Sequence, residues 1–234
     1  MLPTSLLNII KSFNIADVCN APHMYFALIG DIEQLIDQKE HWNEMTCNAA
    51  ASYGQLECLQ YLHENKCPWD EYACLNAAMN GQLECLKYLR EESHDSPCPW
   101  NEYTCRTAAM NGQLECLKYA HENGCPWNEY TCEIAARYGQ LECLKYAHEN
   151  GCPWNEYTCE TAAQYGQLEC LKYVRDQEVP CPWNKLTCET AARHGQFECL
   201  KYAHENGCPI DISRCLEVAK ENNNQHIVEY LSSF

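Results

Sequence analysis

The chain has 234 residues, a formal net charge of −17 at pH 7 and 20 cysteines. That acidic balance excludes a basic nucleic-acid-binding surface and disfavours an anionic membrane surface, since both kinds of partner recruit basic patches. No apolar run approaches the roughly 20 residues that span a bilayer.

Residues 1–19 carry apolar positions at Leu2, Leu6, Ile9, Ile10 and Phe13, interrupted by Asn8 and Lys11. With no small-residue cleavage site, a secretory signal is not expected, and an N-terminal capping helix is. The run from Leu2 to Ile10 also has a faint resemblance to the start of an F-box, although the rest of that motif is missing. Without export, the cytoplasm or the nucleus is the expected compartment, and the cysteines are expected to be reduced.

From residue 20 the chain repeats itself. A Gly-Gln step stands at Gly54, Gly81, Gly112, Gly139, Gly166 and Gly195, spaced by 27, 31, 27, 27 and 29 residues. Self-similarity at such a period means a stacked array rather than a single-core domain. In the unit from Trp127 to Trp154, Asn128 is an N-cap and Glu129 suits the first turn of a helix. That helix spans Tyr130 to Tyr138 and stops at Gly139, which is suited to the left-handed C′ position. A second helix runs from Leu141 to Asn150 and stops at Gly151. Cys152-Pro153-Trp154 then turns the chain into the next unit. Neither helix is long enough to persist alone in water, so stacking must supply the burial.

The run Tyr130-Thr131-Cys132-Glu133-Ile134-Ala135-Ala136-Arg137-Tyr138-Gly139-Gln140 resembles the ankyrin pattern T-P-L-H-x-A-A-x-x-G-H. Gly207-Cys208-Pro209-Ile210-Asp211 resembles the family's G-A-D-V/I-N ending, and Ala21-Pro22-His23 sits where T-P-L belongs. The resemblance covers residues 20–234 as about eight units. Ankyrin units have about 33 residues, so the missing stretch falls on the β-hairpin finger. The expected fold is therefore an all-α, ankyrin-like helix-turn-helix solenoid lacking those fingers. Short Cys-Pro-Trp units of this kind resemble arrays of amoebae and their giant DNA viruses.

The recurring cysteines, such as Cys125, Cys132 and Cys143, invite a thiol-rich metal-binding or redox reading. No C-x-x-C pair occurs, however, and free cysteine is a small, readily buried hydrophobe, so core packing is the simpler account. No metal and no cofactor are expected. The tryptophans Trp42, Trp69, Trp100, Trp127, Trp154 and Trp183 give way to Ile210 in the same place, which marks a packing position between units. His63, His121, His148 and His204 read as partly buried rings satisfied by a backbone carbonyl. No catalytic constellation or phosphate loop stands out, and an enzyme is not expected.

If the repeated residues build the stack, the varying ones are free to specify a partner. Variation concentrates before each Gly-Gln step, at Ser52-Tyr53, Met79-Asn80, Met110-Asn111, Arg137-Tyr138, Gln164-Tyr165 and Arg193-His194, and on the same helix at Asn76, Arg106, Glu133 and Glu160. The ankyrin resemblance implies that first helices face the binding groove. The expectation is a monomeric protein-protein interaction scaffold whose partner contacts include Met79, Asn80, Met110, Arg137, Tyr138, Gln164, Tyr165, Arg193 and His194. The loops lengthened at Glu91–Pro97 and Arg175–Pro180 are further places for a specific contact.

Overall fold

The computed structural model describes residues 21–90 and 96–234. The N-terminal capping helix expected over residues 1–19 and most of the lengthened loop at 91–97 lie outside them. Among the described residues all regular structure is helical, with no strand. Helices run in pairs: α1 (Pro22–Ile29) with α2 (Ile32–Ile36), then, after a 3₁₀ turn at Lys39–His41, α3 (Glu44–Ser52) with α4 (Leu56–Glu64), and α5 (Glu71–Met79) with α6 (Leu83–Leu89). They continue as α7 (Glu102–Met110) and α8 (Leu114–Glu122), α9 (Glu129–Arg137) and α10 (Leu141–Glu149), and α11 (Glu156–Gln164) and α12 (Leu168–Arg175). The last are α13 (Lys185–Arg193) and α14 (Phe197–Glu205), then α15 (Ile212–Glu221) and α16 (Gln225–Leu231).

Local chemistry sets these limits. The side chain of Asn128 accepts from the Tyr130 backbone N–H, and Asp70, Asn155 and Asn184 cap their helices in the same way. At the other end, Gly112 takes φ +70 and closes a Schellman turn, its N–H donating to Ala109 O and the Gln113 N–H to Ala108 O. Gly124, at φ +81, ends α8 by the same geometry.

The chain falls into two compact units, residues 1–104 and 105–234. Within each, first helices pack on first helices and second on second: α1 on α3 and α3 on α5 in the one, α9 on α11, α11 on α13 and α13 on α15 in the other. Each regular repeat buries the same set. In α9 these are Thr131, Cys132, Ala135 and Ala136; in α10 they are Cys143, Leu144 and Ala147. Small residues on the first helix let its neighbours approach closely, and a leucine on the second fills the space behind.

The Gly-Gln step has a structural meaning that its sequence does not announce. A Cβ on Gly112 would stand 2.4 Å from Oε1 of Gln140, the glutamine one repeat on, and Gln140 Nε2 donates to Met110 O at 3.3 Å. In the last repeat Asn223, at φ 59, takes the glycine's place, and Asn224 reaches Ala192 O and Arg193 O as the glutamine would. Every cysteine among the described residues is buried and free, in agreement with a packing role.

Candidate functional site

The first helices present a polar and aromatic face beside their buried alanines. Although Arg106 follows Cys105 and Leu216 follows Cys215, in α9, α11 and α13 the residue after the cysteine is an acid, at Glu133, Glu160 and Glu189. One turn earlier stand Tyr130, Tyr157 and Leu186, all exposed, and one turn later Arg137, Gln164 and Arg193. Beyond these, Tyr138 and Tyr165 are 48% and 40% exposed, and His194 is exposed at the equivalent place.

Stacking brings several of these varying residues together. The Arg137 guanidinium lies over the Tyr165 ring, 4.5 Å from its centroid, and donates to the Tyr165 hydroxyl. Gln164 Nε2 and His194 Nε2 are 3.4 Å apart. Arg193 pairs with Glu189 on its own helix at 2.9 Å, and Arg214 Nε reaches the same carboxylate at 3.1 Å. Met110 contributes its carbonyl to the Gln140 contact. In the unit 1–104, Asn80 Nδ2 donates to Ser52 Oγ at 3.1 Å, and Met79 beside it is half-buried.

The acids are perturbed. Burial, then the charges of Glu133, Glu156 and Glu189, push the Glu160 carboxyl above the ordinary carboxylate range. Glu133 is also pushed up by burial, against the pull of Arg106 and Arg137. Glu160 Oε2 is shielded from solvent and has no hydrogen-bond partner. A carboxyl whose pKa is raised by folding binds protons more readily in the folded state, so stability rises as pH falls through that pKa. Glu160→Gln is therefore expected to stabilise the chain at pH 7, by less than about 1 kcal/mol because solvent screens a partly exposed group. The gain should shrink as pH falls through the raised folded pKa and vanish below the ordinary carboxylate pKa, where Glu160 is protonated in both states; chemical denaturation at pH 7 and pH 4 reads it. A variant less stable at pH 7 would show that Glu160 is compensated.

One row of this face is not visible from sequence variation. Tyr72 and Tyr103 in one unit, and Tyr130 and Tyr157 in the other, are exposed although they recur in the repeat. Reading invariant positions as buried misses them. The available signal is their place just after the first-turn acid, off the stripe formed by Thr131, Cys132, Ala135 and Ala136.

On the second-helix side the histidines differ from expectation. His121 Nδ1 bonds the Tyr146 hydroxyl at 3.0 Å, His148 the Tyr173 hydroxyl at 3.1 Å and His204 the Tyr230 hydroxyl at 2.9 Å, not a backbone carbonyl. The tyrosine of the following repeat reaches back and supplies the partner. Trp127 stacks on His121 with centroids 3.7 Å apart, and its ring meets Tyr146 edge-on. The tryptophans thus pack between repeats, but half-buried rather than enclosed. Where a loop is lengthened the histidine becomes Arg90 or Arg175, whose guanidinium covers Trp100 at 4.2 Å or Trp183 at 3.9 Å.

The thiols are set for packing. Cys132 Sγ donates to Cys152 O at 3.8 Å and Cys152 Sγ to Asn128 O at 3.2 Å. The neighbouring Cys152 thiol, then burial, raise Cys132 far above the usual thiol range, and burial followed by Glu142 pushes Cys143 up to about 11. Reactive or metal-binding cysteines require the opposite shift; among these thiols it occurs at Cys208, where hydrogen bonds with Cys188 and Thr187 hold the thiol down against its burial.

Helix pairs stacked in register, with recurring small residues inside and varying ones outside, define a helical repeat protein. Residues 47–90 match the family model described as ankyrin repeats (many copies). The human ASB11 ankyrin repeat domain, a solved structure, superposes with a TM-score of 0.63 at 17% identity, covering 79% of this chain and 96% of that one. The fold is thus the ankyrin-repeat fold, built without strands among the described residues. No curated protein matched the chain in a sequence search. No helix among the described residues is long and apolar enough to cross a membrane.

Proposed function

We propose that the protein is a non-enzymatic scaffold that binds protein partners along its first-helix face. The observation that carries this reading is the coincidence of variation and exposure. Residues that differ between repeats, Arg137 with Tyr165 and Gln164 with His194, meet one another at the surface while the repeated threonines, cysteines and alanines of the same helices are buried. Tyrosine, methionine and arginine are enriched at interface centres, and a rigid stack holds them without an ordering cost. Met79, Asn80, Met110 and Arg193 complete the proposed contact set. In this reading all of residues 20–234 form one ankyrin-like array, a short variant of the kind found in amoebae and their giant viruses. It works as a monomer in the cytoplasm, where its thiols stay reduced.

The test is a Tyr138→Ala, Tyr165→Ala pair assayed against whatever protein the parent chain captures from its source cell. Binding is expected to weaken by about 1–2 kcal/mol, roughly 5- to 30-fold, with little change in melting. Undiminished affinity would remove these first-helix ends from the binding surface.

A further inference from the structure

The unit 1–104 contains a cavity at the edge of the first-helix face, lined by none of Arg137, Tyr165, Gln164 and His194. It measures about 330 Å³ and is lined by Met24 of α1, by Met45, Asn48 and Ala49 of α3, and by Asp70, Tyr72 and Asn76 at the start of α5. Met24 is buried at its floor, while Met45 and Tyr72 stand 52% and 54% exposed at its mouth. Asn48 is only 9% exposed, and its Oδ1 is shielded from solvent with no hydrogen-bond partner. A buried amide oxygen left unmet is costly, and such groups persist where something outside the chain supplies the donor.

The sequence explains why the cavity opens in this repeat. Asn48 occupies the place of Glu133, Glu160 and Glu189, and Met45 that of Tyr130 and Tyr157. An unbranched, adaptable methionine replaces a rigid ring, and a neutral amide replaces a carboxylate. A second hollow of about 270 Å³ shares Tyr72 and continues past Glu71, Leu75, Asn101 and Tyr103. Among the described residues no lysine or arginine lines either hollow, whereas Asp70 and Glu71 line them and Glu44 heads α3. The groove is apolar at its base and negative at its rim.

We propose that this cavity binds a tryptophan side chain presented by a basic peptide segment of a partner protein. The indole fills the space between Met24, Met45 and Tyr72; a turn of the Asn48 amide about its soft terminal torsion brings Oδ1, shielded in the free chain, to accept from the indole N–H, a donor with no acceptor beside it. Lysine or arginine residues next to the tryptophan face Asp70 and Glu71. Tyr72 belongs to the first-helix face, but the site contains none of the contact set tested above by Tyr138→Ala and Tyr165→Ala, so either proposal can fail without the other.

The probe is acetyl-Lys-Trp-Lys-amide, titrated into the full chain at low salt while the methionine methyl resonances are followed by NMR. Saturable shifts at Met24 and Met45 are expected. The Lys-Phe-Lys analogue, which keeps the apolar body and the charges but lacks the donor, should bind about fivefold more weakly, the worth of one net hydrogen bond. Asn48→Leu should remove that preference for tryptophan. If Asn48→Leu does not fold, Tyr72→Ala at the exposed rim is expected to weaken the tryptophan peptide by about fivefold instead. Absence of saturable shifts at Met24 and Met45, equal affinity for the two peptides, or a tryptophan preference that survives Asn48→Leu would each overturn the proposal. So would undiminished binding by Tyr72→Ala.

Discussion

Gly112→Ala should destabilise the protein by about 2–3 kcal/mol, against about 1 kcal/mol for Gly124→Ala in the same repeat. Both glycines end a helix in the left-handed region, at φ +70 and φ +81, so both variants carry the backbone strain of a side chain there. They differ in what the new methyl group meets. At Gly124 nothing lies within 4 Å, whereas at Gly112 the methyl would collide with Gln140 Oε1 at 2.4 Å. The glutamine can swing away, but only by giving up its bond to Met110 O, and the cost of that lost bond is what separates the two variants. Urea unfolding of each variant measures the difference. Equal losses would mean that Gln140 is displaced freely and that the Gly-Gln step is conserved along the repeats for its turn alone.

Trp127→Ala is expected to cost about 2–3 kcal/mol, below the 3–5 of a fully enclosed ring because this one is half-buried. The variant loses the stack on His121 at 3.7 Å and the edge contact with Tyr146, two aromatic contacts through which Trp127 joins α8 to α10 of the next repeat. It also uncovers the His121–Tyr146 hydrogen bond. Because a repeat stack is stabilised by neighbour terms, hydrogen exchange should quicken chiefly in α8 and α10, with α14 and α16 little changed. A variant that melts like the parent would make the tryptophan row a surface feature with no part in holding repeats together.

The two expectations show what a repeat hides from a sequence reading. The period itself was plain, and with it the helix pairs, because Asn or Asp before each first helix and glycine after each helix act on the nearest turn of backbone. The packing of Cys132 and Cys143 is legible because free cysteine is a small hydrophobe, and the burial of Leu144 and Ala147 because three- and four-residue spacing fixes one face of a helix. The varying residues at Arg137, Tyr138, Tyr165 and His194 could be picked out by comparing units within the chain.

Contacts that join one repeat to the next could not. As a partly buried ring His121 suits a backbone carbonyl as partner, but it bonds the Tyr146 hydroxyl, 25 residues away. Gln140 looked like a consensus residue with no assigned task, and it closes over the glycine of the preceding repeat. Tyr130 and Tyr157 recur like core residues and yet stand in solvent. The cavity at Asn48 exists only because α1, α3 and α5 pack side by side with a shortened side chain between them. Local capping and periodicity are set by residues within a few positions of each other, so the sequence alone determined the helices and their buried faces. Which side chain of one repeat meets which of the next depends on the offset with which the helices stack, and only the tertiary structure decided that.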